Sequence, residues 1–302
     1  MGADSRQIVV VHQRESFHRG FGQFLKDSWT SRIILTSFVR KELMVRYRES
    51  VLGVLWALVK PLTQLFIFGV VLGLFLGFGR SIPYYPLFIL TGLIMMGIFN
   101  ESATQGATSI FRGAPLVKKV AFRRELLPIA AVGGALINSF FQFVALCIGY
   151  LLTGSHPNWG SLGYAVPALL IVTLVGTGMA LLLSALNVYL RDVQFIVDVG
   201  LMVMFWMTPV LYSWHHVKDN LAAAGFAPWV FELYMLNPMA NSVLAFRQAF
   251  WPGMQTSMGP SYAYFDSPFA ARLWLMVAGC AAFVWFAQRV FARMQTGFAA
   301  EL

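Results

Sequence analysis

The sequence predicts an all-α integral membrane protein with six membrane-spanning helices. A N-terminal amphipathic interface helix precedes the first span, and a short re-entrant helical hairpin precedes the last. Three observations carry this reading. Of 302 residues, 58% are hydrophobic and 12% charged, with a mean hydropathy of +0.67. A soluble domain carries roughly 25% charged residues, so the apolar excess must face lipid. Long apolar runs recur between short polar breaks. The basic residues are also unevenly shared: 17 of the 22 lysines and arginines fall in segments on one side. Only Arg80, Lys218, Arg247 and Arg272 fall on the other, and Lys60 sits within the first span. That bias marks the cytoplasmic side and places both termini there. The net charge of +9 then reflects loop bias and attraction to anionic lipid, with no call for nucleic acid.

Residues 1–55 read as a cytoplasmic arm and interface helix. The first thirty are polar enough to exclude a cleavable signal peptide. Phe17, Phe21, Phe24, Leu25 and Trp29 share a side if helical, giving either a loose arm or a helix in the headgroup layer. From Ser31 to about Arg48 the helical pattern improves. Glu42 and Arg46, four apart, are placed to pair. Arg40, Lys41, Arg46 and Arg48 form either a solvated basic face or a contact for an anionic headgroup or cargo phosphate.

Residues 56–292 hold the spans. The first is Trp56 to Phe78, with Lys60 placed to snorkel to the cytoplasmic surface or meet a headgroup. Gly69, Gly73 and Gly77 recur every four residues, a stripe suited to close helix packing within the chain or across a dimer. The second, Leu87 to Ile110, turns polar at Asn100, Glu101, Ser102, Thr104 and Gln105. Glu101 must face protein or water, as a structural pair or part of a transport path. Residues 112–127 form a basic loop. Leu116, Val117, Val120 and Phe122 lie there among Lys118, Lys119, Arg123 and Arg124, giving a short docking helix or a plain basic loop.

The third span is Pro128 to Leu152 and the fourth Leu162 to Leu186. The fifth, Phe195 to Tyr212, carries Asp198, several methionines, Phe205 and Trp206, and is bent by Pro209. Residues 228–251 hold two helices too short to span: one opens at Pro228, the other at Asn237-Pro238, an N-cap followed by proline. They form a re-entrant hairpin or two interfacial helices. The sixth span is Ala271 to Val290, and residues 293–302 form a cytoplasmic tail. Cys147 and Cys280 read as small buried hydrophobes.

No GxxxxGK[ST] run occurs, so the chain has no P-loop of its own. No HExxH, CxxC or poised carboxylate pair is present, so no catalytic or metal-ligating residues are assigned. His215-His216 alone is a weak metal signal. An engine-free six-span chain with a basic docking loop reads as half of a dimeric pore driven by another subunit.

Four stretches carry a resemblance: RESVLGVLWALVKPL (Arg48 to Leu62), LVKKVAFRRELLP (Leu116 to Pro128), LNVYLRD (Leu186 to Asp192) and LYMLNPM (Leu233 to Met239). From about Ile34 to Ala292 the chain resembles the transmembrane permease subunit of ABC exporters for bacterial surface polysaccharides: O-antigen, capsule, teichoic acid and cell-wall galactan. It departs at Arg123, where such permeases often carry proline.

The resemblance implies a homodimer in the cytoplasmic membrane bound to two ATPase subunits, which would hold the ATP and magnesium. The cargo it implies is a glycan on polyprenyl pyrophosphate. Lys118 to Arg124 would form the coupling helix, and the stretch from Pro228 to Trp251 the outer gate. The pyrophosphate would meet Arg40, Lys41, Arg46, Arg48 and Lys60. Phe205, Trp206 and Tyr212 are the candidate glycan-channel aromatics. The rival readings are an ABC permease for a lipid or drug, a membrane-embedded transferase, and a secondary transporter.

Overall fold

The computed structural model describes residues 30–47, 55–119, 122–190, 192–256 and 269–302. Every regular element among them is helical. The N-terminal arm before residue 30, Arg48 and Val120 lie outside the described residues, and Arg46 is described in backbone only.

Helix α1 spans Arg32–Tyr47. Helix α2, Trp56–Ile67, continues as a π-helical stretch, Phe68–Phe75. Gly69 and Gly73 let the start of the next helix close in. A Cβ at Gly69 would lie 3.1 Å from the Pro86 ring, and one at Gly73 3.4 Å from the Tyr85 ring. Gly77 ends the run in the left-handed region, at φ 77°, which glycine enters without strain.

Helix α3, Tyr85–Arg112, is the axis of the bundle. Of its most apolar stretch 72% is buried, against 6% for α2. It packs against α5 (Leu126–Thr153) and α6 (Ala165–Tyr189), with the short α4 (Ala114–Lys119) between α3 and α5 in sequence. Contact with α6 is closest at Gly106, where a Cβ would fall 2.4 Å from that of Ala180. Small residues at such a crossing let two backbones meet.

Helix α7 spans Val193–Trp206. The sequence predicts a span reaching residue 212, but 14 residues rise about 21 Å, short of the ~30 Å hydrocarbon core. The helix stops before Thr208-Pro209. There the Asn237 amide donates to the Met207 carbonyl at 3.2 Å and the Thr208 hydroxyl at 3.3 Å.

Three short helices follow. The sequence reading missed α8, Trp214–Ala223; Ser213 caps it by accepting from the His215 amide. Helix α9 is Pro228–Tyr234 and α10 is Pro238–Phe250, each with proline in its first turn. They differ in placement. Only Phe231 of α9 is buried, while every residue of α10 from Met239 to Ala249 is. Helix α10 is too short to cross, yet packs against α3, α6 and the last long helix, α11 (Phe269–Met294). Side chains tie it in place: Ser242 donates to the Ala168 carbonyl at 2.9 Å, and Tyr150 to that of Phe250. Beyond α11 the chain turns through Gln295–Gly297 into Phe298–Glu301 and buries Phe298 completely.

Among the described residues, five helical segments are long and apolar enough to cross a membrane, and α7 is a shorter apolar one. Cys280 is buried, but Cys147 is exposed on α5, a position a cysteine tolerates when its surroundings are lipid.

Candidate functional site

Two neighbouring features gather most of the residues singled out in the sequence. One is a platform at the basic end of the bundle. Helix α1 lies along α5, with Val39 over Gly133 and Glu42 beside Gly134. The Glu42 carboxylate pairs with Arg112 at 2.9 Å, and Arg112 also donates to the Gln105 carbonyl at 2.9 Å. Glu42 therefore reaches across to α3, where local spacing predicts a pair with Arg46. Phe38 meets Phe122 edge to face, with ring centroids 5.5 Å apart.

Between α3 and α5 the short α4 is held by Val117, which is buried, while Lys118 and Lys119 are exposed. Leu116, Phe122, Arg123 and Arg124 are half-buried. Arg124 donates to the Gln295 carbonyl and lies 6.0 Å from the centre of the Phe298 ring. Burial lowers its pKa below the ordinary guanidinium value. The Tyr189 hydroxyl donates to the Met294 carbonyl at 2.6 Å, and Gln288 to Glu125 at 3.2 Å. The loop after α3 is thus braced by the C-terminal turn. Arg40 and Lys41 are exposed on α1.

The second feature is a polar cleft of about 560 Å³ between α2, α3 and α5. Lys60 and Gln64 reach it from α2, Glu101 and Gln105 from α3, and Asn138 and Gln142 from α5. Each pair is four residues apart, so one face of each helix turns a polar strip inward. That spacing is legible in the sequence, but their convergence is not. Asn138 donates to the Glu101 carboxylate at 2.7 Å. Gly97 makes room for Gln142: a Cβ there would lie 2.9 Å from the Gln142 amide nitrogen. Glu101 is 11 residues from the end of α3 and Asn138 12 from the start of α5. Both sit about 17 Å from the basic end.

Of the three aromatics expected along a channel, Phe205 lines this cleft. Trp206 is 62% exposed and packs edge to face on Phe205. The Tyr212 hydroxyl donates to the Trp206 carbonyl at 2.7 Å, and its ring lines a separate cavity beside His216. At the hairpin end, Asn237 caps α10 by accepting from the Met239 amide at 2.9 Å. Pro238 follows as the first residue of α10, and Pro228 opens α9.

The residue missed by the sequence reading is Arg247. It is 3% exposed on α10, with its guanidinium 3.5 Å from the Phe88 ring centre. It donates to the carbonyls of Phe88 at 3.3 Å and Val210 at 3.0 Å. Its signal was an arginine inside an otherwise apolar segment.

The sequence signature of the ABC-2 type transporter family matches residues 35–251. An O-antigen export system permease protein, RfbA, of Klebsiella pneumoniae is 29% identical over 252 residues, covering 83% of this chain and 90% of the relative. The RfbA of Myxococcus xanthus is 29% identical over 229 residues, covering 76% and 84%. A polysialic acid transport protein, KpsM, of Escherichia coli is 21% identical over 228 residues, covering 74% and 83%.

Proposed function

The chain belongs to the ABC-2 type transporter family, and on that premise we propose that it is the permease subunit of an exporter carrying polysaccharide across the bacterial cytoplasmic membrane. Relatives named as O-antigen export permeases, matched over most of their length, support the cargo class. ATP and magnesium belong to a separate cytoplasmic ATPase, since this sequence has no P-loop.

The observation that carries the reading is the braced basic platform. Two exposed lysines project from a six-residue helix between two spans, and the helix is anchored by buried Val117. A partner pressing on it moves α3 and α5 together, because α1 is paired to one and packed on the other. Lys118 to Arg124 is then the coupling segment, and both termini are cytoplasmic.

Two copies of the chain and two ATPase subunits complete the assembly. The thinly covered α2 is a surface for the second copy or for lipid. The cargo carries a polyprenyl pyrophosphate, which the exposed Arg40, Lys41 and Lys60 would meet at the membrane surface. Helices α9 and α10 close the outer exit.

Co-purification in mild detergent with the cell's ATPase subunit tests this. The native chain forms a complex that turns over ATP, and Lys118→Glu with Lys119→Glu abolishes complex or turnover. Full association and turnover in the double variant would refute the coupling role. No ATPase with the native chain would refute the exporter reading.

A further inference from the structure

We propose that the cleft between α2, α3 and α5 is a binding subsite for a neutral, hydroxyl-rich sugar unit. Its place in transport rests on the exporter reading, but binding itself does not.

Gln64, Gln105 and Gln142 are half-buried and Lys60 is exposed, so all four side chains are open to a ligand. Among the described residues, the side chains of Gln64, Gln105, Gln142 and Lys60 make no hydrogen bond within the protein, and all four line one cavity. They come from three helices, so their convergence is not a local accident of one turn.

Carboxamides both donate and accept, which matches sugar hydroxyls. A lipid tail would leave these amides unpaired. An anion bound among the amides would meet the Glu101 carboxylate and a cation would meet Lys60, so a neutral ligand suits the cleft, while Lys60 can still meet a phosphate from its exposed side. No cluster of metal-ligating residues occurs among the described residues.

The volume of about 560 Å³ falls within the ~300–1,000 Å³ of small-molecule sites. Trp56 and Phe205 add aromatic faces, on which the C–H face of a pyranose can lie. Glu101, held by Asn138, is a pre-positioned acceptor that need not reorganise on binding.

The test uses the permease alone in nanodiscs, so it reads binding whether or not an ATPase associates. The probes are the methyl glycosides of mannose, galactose and glucose, followed by saturation-transfer NMR. At least one gives a signal with the native chain. Gln142→Leu, close in size and leaving the backbone intact, weakens it about tenfold, the loss of one or two net hydrogen bonds. Gln105→Leu does the same, and Gln142→Asn keeps part of the signal. A thermal melt of each variant confirms the fold. No glycoside signal from the native chain, or signals indifferent to both leucine variants, would overturn the subsite. In cells, Gln142→Leu lowers surface polysaccharide while ATP turnover of the complex persists. Unchanged export would remove the subsite from the path, leaving the exporter reading intact.

Discussion

Glu42 in α1 and Arg112, the last residue of α3, meet at 2.9 Å, with side chains 27% and 43% exposed. The pair joins an interface helix to the central helix at the end where α4 projects. Being solvated, it contributes little to global stability, about 0.5 kcal/mol or less. Its value is positional. Glu42→Gln should leave the melting temperature nearly unchanged but increase hydrogen exchange along α1. The swap of Glu42→Arg with Arg112→Glu should restore protection. If Glu42→Gln lowers the melting temperature sharply, the pair is a core contact and not a positional tie.

Arg247 yields a larger effect. It is fully buried, and its guanidinium links α10 to the carbonyls of Phe88 and Val210. Arg247→Ala loses both bonds and the ring contact and leaves a void, at a cost of about 3 kcal/mol. Arg247→Lys recovers little, because the ammonium lacks the planar guanidinium face that stacks on the Phe88 ring. Denaturant unfolding in detergent measures this. A lysine variant as stable as the native chain would contradict it.

Much of this architecture was legible in the sequence, and the exceptions share a cause. Spans, prolines and the Asn237 cap are local signals, read from apolar runs and turn chemistry. Nothing local to Arg247 shows that Phe88, 159 residues away, offers it a carbonyl. Spacing within one helix offers Glu42 a partner in Arg46, but it cannot show that Arg112 of α3 reaches the same carboxylate. The early end of α7 is not visible in its own apolar run, since the Asn237 contacts that accompany it come from 29 and 30 residues on.

The crossing of α3 and α6 at Gly106 gives a steric prediction. Gly106 of α3 leaves no space beside Ala180, whose Cα would lie 2.7 Å from an added Cβ. Because the obstacle is backbone, α3 and α6 must separate to admit a methyl group. Gly106→Ala should destabilise by about 1–3 kcal/mol. Gly163→Ala, where a Cβ meets nothing within 4 Å, is the control and should be neutral. Equal melting temperatures for the two would refute the crossing.

The C-terminal turn gives a coupling prediction. Phe298 is fully buried and stacks edge to face on Phe291, and Arg124 reaches over to Gln295. Phe298→Ala should release residues 295–302 to carboxypeptidase while the spans stay folded. ATP turnover should then persist with less polysaccharide exported per ATP. A tail as resistant as the native one would show that Phe298 does not hold it.

At the hairpin end, His215 stacks on Trp214 with ring centroids 3.7 Å apart. Burial, the main cause, lowers its pKa from the ordinary 6.5; Asp219 opposes the shift. The folded form therefore binds fewer protons than the unfolded one in the window just below 6.5. Stability is full above that pH and falls as acid charges the ring. His215→Phe should flatten this part of the pH–stability curve. A native curve that rises on acidification through the same window would show the opposite sign.

Deleting this chain from the cell tests whether it exports polysaccharide. Surface polysaccharide should disappear, with the lipid-linked chain accumulating inside. The native gene should restore the surface, and the Lys118→Glu, Lys119→Glu variant should not. Surface polysaccharide unchanged in amount and sugar composition after deletion would show that this chain does not export it.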